Sequence, residues 1–267
     1  PARARTEDPV LVFAAASLSA ALSRALDAAL GAAARQGVTL VFGSSAALAR
    51  QIVAGAPADL YVSAHPRWSD FLADSGSLDA ASSTPLLGNA LALAAAAHVE
   101  APPVADDGLL REGAPTAAAL LDALGRDGRL AIGRRDTTPL GLYGAAALRT
   151  LGLWSALSPR LAEAQDARAA ARFVAQGAAP LGVLYASDFA PAAPLNGARV
   201  VGRFPAESHP QIIYPAALTQ RGARRVAARQ VMSALTSADA AATFHRHGFT
   251  PLASADAAPA TAPRGDG

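Results

Sequence analysis

Two short segments of the sequence place serine where a predicted strand runs into a predicted helix. In VFAAASLSAAL (12–22) the serine is Ser17, and in LVFGSSAALARQI (40–52) the pair is Ser44 and Ser45. The first backbone N–H groups of a helix have no partner inside it and lie at the positive end of the helix dipole. A serine hydroxyl adds a neutral donor to them. Both segments therefore have the chemistry of an anion site that carries no charge of its own.

Capping is the other role that serine has at such positions. Serine is among the commonest N-cap residues, and its side-chain oxygen stabilises a helix by about 1 kcal/mol when it accepts a backbone N–H. For either segment alone, this local role is the more frequent one. Two such segments on neighbouring strands favour a shared ligand, because open α/β sheets bind their ligands at the carboxyl ends of the strands.

Two further helix starts and one tyrosine extend this set of donors. In TTPLGLY, Pro139 predicts a helix start that leaves the N–H of Leu140 free. In AQDARAAARF, Asp166 is the predicted N-cap and Ala167 opens the helix. Tyr185, in LGVLYASD, fits either a core tyrosine or a donor that faces a cleft. Taken one at a time, these are ordinary features.

The serine pair also permits an enzymatic interpretation. The segment GSSAA (43–47) nearly matches the G-x-S-x-G elbow of serine hydrolases, with Ser45 as nucleophile, but its last glycine is missing. A triad would need an acid and a histidine further along the chain, for instance Asp188 and His209. No histidine–carboxylate cluster has the spacing of a metal site, and no phosphate loop or dinucleotide fingerprint is present.

Composition limits the remaining classes. The chain has 267 residues, of which 52% are apolar and 16% charged, so it can bury a core in one large domain or two ordinary ones. A net charge of +2 is too small for a nucleic-acid-binding surface. The absence of cysteine excludes disulfides and thiolate chemistry. The longest apolar run, residues 90–97, is too short to span a bilayer.

The elements that must hold the donors alternate between strands and helices, which predicts an α/β fold with parallel sheets. After the first strand, leucines four residues apart predict a helix from Leu18 to Leu30, with Gly37 as a stop. The pattern indicates two lobes, with the chain crossing near residues 86–90 and returning around residues 205–212. The predicted strands are residues 10–15, 38–42, 59–64, 129–133, 181–188, 200–205 and 211–218.

Several segments together resemble the periplasmic molybdate-binding proteins of ABC transporters, and the resemblance runs from about Val10 to Thr250. FAAASL followed by LARQIVAGAPADLYVSA is fairly specific to that family, whereas PADLYVSA alone would also suit iron- or sulfate-binding relatives. The segments that carry the resemblance are FAAASL (13–18), SSAALARQIVAGAPADLYVSA (44–64), LLGN (86–89), RLAIG (129–133), PLGLY (139–143), PLGVLYASD (180–188) and HGFT (247–250).

The resemblance implies a two-lobed type II periplasmic binding protein fold, in which each lobe is a mostly parallel sheet flanked by helices and a hinge motion closes the cleft between them. We expect residues 1–86 and 206–251 to form one lobe and residues 87–205 the other, while residues 252–267 form a disordered tail. The implied function is high-affinity binding of molybdate or tungstate for an ABC transporter permease, without catalysis or a cofactor. The expected form is a periplasmic monomer whose signal peptide has been removed.

The ligand contacts that the resemblance implies are all neutral. Ser17 and Ser45 would each supply a hydroxyl and a backbone N–H, and Tyr185 its hydroxyl. Leu140 and Ala167 would supply backbone N–H groups, so their departure from the family's usual alanine and valine matters little, although the bulkier Leu140 could narrow the pocket. Molybdenum would be bound as an oxyanion, with no side chain coordinating the metal. The alternatives are a receptor for sulfate, another oxyanion or ferric ion, and a serine esterase.

Overall fold

The computed structural model describes residues 8–100 and 107–252. Its strands are Val10–Ala15 (β1), Val38–Gly43 (β2), Leu60–Val62 (β3), Thr84–Asn89 (β4), Leu91–Ala96 (β5), Leu130–Gly133 (β6), Leu161–Ala164 (β7), Leu181–Tyr185 (β8), Ala198–Arg203 (β9), Ile212–Leu218 (β10) and Thr250–Pro251 (β11). Its α-helices are Ser19–Ala29 (α1), Ala32–Gln36 (α2), Ser45–Val53 (α3), Pro66–Asp74 (α4), Ala114–Leu124 (α5), Pro139–Thr150 (α6), Trp154–Leu157 (α7), Ala167–Ala175 (α8), Gln220–Ala223 (α9), Val226–Leu235 (α10) and Ala238–Arg246 (α11). The helices flank two sheets, so the predicted α/β class is confirmed.

The two sheets define two lobes. The first sheet has the strand order β11-β4-β10-β3-β1-β2, and we call the part of the chain around it lobe 1. The second has the order β7-β6-β8-β5-β9 and forms lobe 2. The chain passes from lobe 1 to lobe 2 between β4 and β5, through Ala90 alone, and returns between β9 and β10. Residues 87–89 belong to β4 of the first sheet, although the boundary expected from the sequence assigns them to the second lobe.

Both sheets are mixed, but most strands of each run in one direction, as predicted: β10 and β11 of lobe 1 and β5 of lobe 2 are the reversed strands. In lobe 1, β1 pairs in parallel with β2 and β3, whereas β10 pairs antiparallel with β3 and β4, and β11 with β4. In lobe 2, β6 is parallel to β7 and β8, and β5 is antiparallel to β8 and β9. Strands β4, β5, β9 and β10 flank the two crossings between lobes, so no strand–helix–strand unit within one sheet fixes their direction.

The helix predicted after β1 is shorter than its leucine pattern indicates. Helix α1 ends at Ala29, Leu30 is extended, and a separate helix α2 begins after Gly31 and ends at Gly37. Glycine is a poor helix former, which explains the break at that position. The apolar face was predicted well, since Leu22 and other apolar residues of α1 are buried.

In the part of the chain that the structure describes, no helix has the length and apolar content needed to cross a bilayer. The predicted disordered tail lies outside the described residues, apart from its first residue.

Candidate anion-binding site

A cleft between the two lobes contains all five residues that the resemblance implies as ligand contacts. About 240 Å³ of empty space lies between the lining residues when the open mouth is counted, and little of it is enclosed, so the cleft has room only for a small ligand. It is lined by Ala15, Ala16, Ser17, Gly43, Ser44, Ser45, Ala64, Thr138, Pro139, Leu140, Asp166, Ala167 and Tyr185.

The register of the first sheet explains why the two serine segments meet. Strands β1 and β2 are parallel, and Ala15 at the end of β1 pairs with Gly43 at the end of β2. Ser17 follows in a short 3-10 turn, Ala16–Leu18, and Ser45 opens α3. Both serines therefore lie at the same edge of the sheet, as expected for the carboxyl ends of parallel strands.

Neither serine caps its helix. Ser45 is the first residue of α3, and the N-cap, Ser44, makes no side-chain capping hydrogen bond. Ser17 lies inside the 3-10 turn, whose N-cap is Ala15. Both side chains are nevertheless buried. The capping interpretation is therefore wrong for both segments, and the serine hydroxyls are used in tertiary contacts.

Ser45 is held by two contacts with the strand that follows its helix. Its Oγ accepts a hydrogen bond from the backbone N–H of Ala64 at 3.1 Å. Its backbone carbonyl accepts the hydroxyl proton of Tyr61 at 2.8 Å. Because a backbone N–H can only donate, the hydroxyl proton of Ser45 is free to donate elsewhere.

Leu140 and Ala167 lie in the first turns of two helices whose caps leave their N–H groups free. Helix α6 is capped by Thr138, whose Oγ1 accepts the N–H of Gly141 at 3.1 Å. Helix α8 is capped by Asp166, whose carboxylate accepts the N–H of Ala169 at 2.8 Å. The predicted cap Asp166 is confirmed, whereas at α6 the sequence pointed to Pro139 and gave no sign of the cap Thr138. In the first turn of a helix, an N–H that no cap accepts has no partner within that helix.

Tyr185 ends β8 and is completely buried. In the part of the chain that the structure describes, its hydroxyl has no hydrogen-bond partner. Burial raises the pKa of Tyr185 well above its ordinary value, so the hydroxyl keeps its proton at neutral pH. An unpaired buried hydroxyl is costly, and a group in the cleft that accepts its proton would remove that cost.

The electrostatics of the cleft are unusual for an anion site. Among the described residues that line it, only Asp166 carries a charge, and that carboxylate caps α8. The favourable potential comes from the ends of α3, α6 and α8, which point their first turns at the cleft, together with neutral hydroxyls. Within the described ranges, no group of three or more histidine, aspartate or glutamate side chains could hold a bare metal ion.

Asn89 and Tyr214 support the site through a series of hydrogen bonds that ends at Ser17. Neither residue could be identified from the sequence. The Tyr214 hydroxyl lies 3.2 Å from Ser17 Oγ. Asn89 Nδ2 donates to Tyr214 at 3.1 Å and to Ser187 Oγ of lobe 2 at 2.9 Å. The sequence placed Asn89 in the LLGN segment and Tyr214 in a strand, but nothing in it indicated that residues 125 positions apart share a hydrogen bond.

Other contacts join the lobes directly beside the cleft. Arg168 Nε of α8 donates to Ser19 Oγ of α1 at 3.2 Å, and its guanidinium lies 3.4 Å from the Asp188 carboxylate. On the other side, the rings of His65 and Tyr143 stack at 4.7 Å. These contacts link the two lobes on both sides of the cleft.

The residues proposed for an esterase do not form a triad. Ser45 Oγ is bonded to Ala64, and Asp188 contacts Arg168 and the backbone N–H of Tyr185. His209 Nδ1 lies 2.8 Å from its neighbouring carbonyl, that of residue 210. In the described structure these hydrogen bonds provide Ser45 with no general base, which nucleophilic serine chemistry requires.

Comparisons with known proteins find relatives along nearly the whole chain. A family model described as bacterial extracellular solute-binding protein matches residues 10–250. The molybdate-binding protein ModA of Escherichia coli (strain K12) is 39% identical over 246 residues, which cover 91% of this chain and 90% of that protein. ModA of Haemophilus influenzae is 32% identical over 243 residues, covering 90% and 89% of the two chains.

A solved structure extends the likeness to three dimensions. The periplasmic molybdate-binding protein of Azotobacter vinelandii is 25% identical and has a TM-score of 0.70, with 90% of this chain and 98% of that chain covered. The two-lobed binding-protein fold expected from the resemblance is thereby confirmed. The chain belongs to the family of bacterial extracellular solute-binding proteins.

Proposed function

We propose that this protein binds molybdate and tungstate in the cleft and delivers the bound anion to the permease of an ABC transporter. The observation that carries the proposal is the convergence of Ser17, Ser45, Leu140, Ala167 and Tyr185 on one small cleft between the lobes. The similarity to ModA proteins over nine-tenths of the chain supports the choice of anion.

The donor count is sufficient for a dianion. Ser17 and Ser45 can each offer a hydroxyl and a backbone N–H, and Leu140, Ala167 and Tyr185 one donor each, which makes seven. Hydrogen bonds to charged groups contribute about 1.5–3 kcal/mol each. Their sum, roughly 10–20 kcal/mol for seven donors, is several times what one serine segment alone could supply. Removing one donor should weaken binding without abolishing it.

The chemistry of the donors favours fully ionised oxyanions. Most groups that line the cleft donate a proton, and the one carboxylate among them, Asp166, uses an oxygen to cap α8. The O–H of hydrogen phosphate would therefore find few acceptors there. Molybdate and sulfate are both fully ionised at neutral pH, and therefore only cavity size can separate them. Molybdate and tungstate are nearly the same size, so we expect little discrimination between them.

The mode of action that we propose is a hinge closure of lobe 1 on lobe 2 around the anion, without chemical change to it. The protein would act as a monomer in the periplasm and present the closed form to the permease. The direct contacts between lobes, Arg168 with Ser19 and His65 with Tyr143, support a closed state of this kind.

Calorimetric and thermal-shift titrations with molybdate, tungstate, sulfate and phosphate test the proposal. Molybdate and tungstate should bind tightly and raise the melting temperature by linkage, while phosphate should not. Absence of a molybdate response would refute the proposal, and tighter binding of sulfate would favour the sulfate receptor instead. The double variant Ser17→Ala, Ser45→Ala should weaken molybdate binding by about 3–6 kcal/mol, and an unchanged affinity would refute the assignment of these serines.

A further inference from the structure

We propose that Asn89 and Tyr214 are positioning residues that fix the hydroxyl of Ser17 as a donor toward the cleft. The inference rests on the proposed function, since it concerns how one residue of the anion site is oriented. Its basis is an unbroken chain of hydrogen bonds, from Asn89 Nδ2 to the Tyr214 hydroxyl at 3.1 Å and from there to Ser17 Oγ at 3.2 Å.

The direction of this chain is set at Asn89. Its Oδ1 accepts the backbone N–H of Ala90 at 2.9 Å, and a backbone N–H can only donate. The amide nitrogen must therefore be the atom that faces Tyr214 and Ser187. The contact with Ala90 therefore distinguishes Oδ1 from Nδ2 of the Asn89 amide, an assignment that generally has to be made from the hydrogen-bond network.

The proton order at the two hydroxyls is the inferred step. The Tyr214 oxygen accepts from the amide nitrogen. The distance to Ser17 Oγ allows either hydroxyl to donate, and we assign the proton of Tyr214 to Ser17. Ser17 Oγ accepts it, so the serine's own proton is left for the cleft. Tyr214 is fully buried, and burial raises its pKa, so the proton on which this order depends is present across the physiological range.

The hydroxyl of Ser45 is also left with its proton free to donate, but a different contact fixes it. Its Oγ accepts the backbone N–H of Ala64, which no side-chain substitution can remove. Ser17 depends on two side chains instead, and its direction can therefore be changed by substitution. Only at Ser17 can the donor character of the site be tested without altering a residue that would touch the anion.

The predicted consequence is selectivity against protonated oxyanions. We call the hydrogen-bonded series Asn89–Tyr214–Ser17 the relay. With the relay intact, Ser17 faces the anion as a donor, which suits molybdate and disfavours the O–H of hydrogen phosphate. Without Tyr214's hydroxyl, Ser17 Oγ is free to rotate and to accept that O–H. The affinity for molybdate should then fall while the affinity for phosphate is kept or rises.

Tyr214→Phe is the variant that tests the relay, and Tyr61→Phe is its matched control. Both remove the hydroxyl of a fully buried tyrosine in the first sheet, but Tyr61 donates to the backbone carbonyl of Ser45 and leaves its Oγ contact in place. We expect Tyr214→Phe to weaken molybdate binding by about 3- to 10-fold and to lower the molybdate-to-phosphate affinity ratio by more than that. Tyr61→Phe should lower the melting temperature similarly, and because it leaves the donor direction at Ser17 and Ser45 in place, any loss of affinity should be equal for molybdate and phosphate and their ratio unchanged.

A double-mutant cycle separates positioning from general stability. In a Ser17→Ala background, Tyr214→Phe should have no further effect on molybdate affinity, because its target hydroxyl is gone. An equal effect in both backgrounds, or an unchanged ratio in Tyr214→Phe, would overturn the inference. If Tyr214→Phe does not fold, Asn89→Ala can replace it, because it removes the first hydrogen bond of the relay. The same measurements then apply: the molybdate-to-phosphate affinity ratio and the double-mutant cycle with Ser17→Ala.

Titration of the unaltered protein distinguishes the two proposals. A native chain that does not bind molybdate refutes the proposed function, and the relay fails with it. A native chain that binds molybdate but shows no coupling between residues 17 and 214 refutes the relay alone.

Discussion

Ala167→Pro is the substitution that most directly tests a contact made by the main chain. Ala167 is the first residue of α8, and its N–H lies outside the internal hydrogen bonds of the helix. Proline is well tolerated at this position. The preceding residue, Asp166, has φ −157° and ψ 173°, an extended conformation of the kind that residues before proline adopt. The variant should therefore fold with one donor fewer.

The expected loss follows from the type of hydrogen bond removed. A hydrogen bond to a charged group is worth about 1.5–3 kcal/mol, which corresponds to about 10- to 150-fold in affinity. The proline ring occupies the place of the N–H in a residue that is only 8% exposed and lines the cleft, so this range is a lower bound. Ligand-induced stabilisation falls by the same free energy, so at a fixed saturating concentration the shift in melting temperature should be about 3–12 °C smaller.

Isothermal titration with molybdate measures the effect, and the melting temperature without ligand reports whether the fold is intact. Ala167→Gly is the control, because it also changes the side chain but keeps the N–H. We expect it to bind about as well as the native chain. If Ala167→Pro is folded and binds molybdate as tightly as Ala167→Gly, the backbone of Ala167 is not a ligand contact and the reasoning is refuted.

Further predictions concern the closed state, pH and the rival chemistry. Arg168→Gln removes the guanidinium that joins Ser19 of lobe 1 to Asp188 of lobe 2, and calorimetry should show molybdate binding about 3- to 10-fold weaker. Arg172→Gln, on the exposed side of the same helix, should show no such change. Burial raises the pKa of Asp188 from 3.8 to about 6, although Arg168 opposes this. Since the folded chain holds this proton more tightly than the unfolded chain, the free energy of unfolding should fall by up to about 3 kcal/mol as the pH rises from about 4 to 6. Asp188→Asn should remove that slope in denaturant titrations, and an identical slope in both proteins would contradict the assignment. A fluorophosphonate probe should not label Ser45, and labelling that Ser45→Ala abolishes would support an esterase.

The features that could be predicted from the sequence are those with a local signal. Strand β1 is an apolar run that ends at a serine, and α8 begins at an aspartate followed by a helical pattern, so both were found close to their true bounds. The donors at Ser17 and Ser45 could be placed together because parallel strands bring their carboxyl ends to one edge.

The features that were missed depend on contacts between distant residues. The direction of β10 is set by its pairing with β3 and β4. The residues of β10 alone do not indicate either partner strand. The support of Ser17 by Tyr214 joins positions 197 residues apart, within a strand whose burial pattern already explained a tyrosine. Local patterns report propensity and burial, whereas the orientation of a hydroxyl is decided by partners that only the folded chain brings close.

The single residue between β4 and β5 limits how the lobes can move. Successive Cα atoms are 3.8 Å apart, so the ends of these two strands, at Asn89 and Leu91, cannot be more than roughly 7 Å apart in any conformation. In the closure that we propose, lobe 2 would therefore turn about this pivot and could not slide along lobe 1. Each donor of lobe 2 would keep a nearly constant distance from Asn89 throughout that motion. The short connection between the two strands thus limits how far the donors of one lobe can shift relative to Ser17 and Ser45.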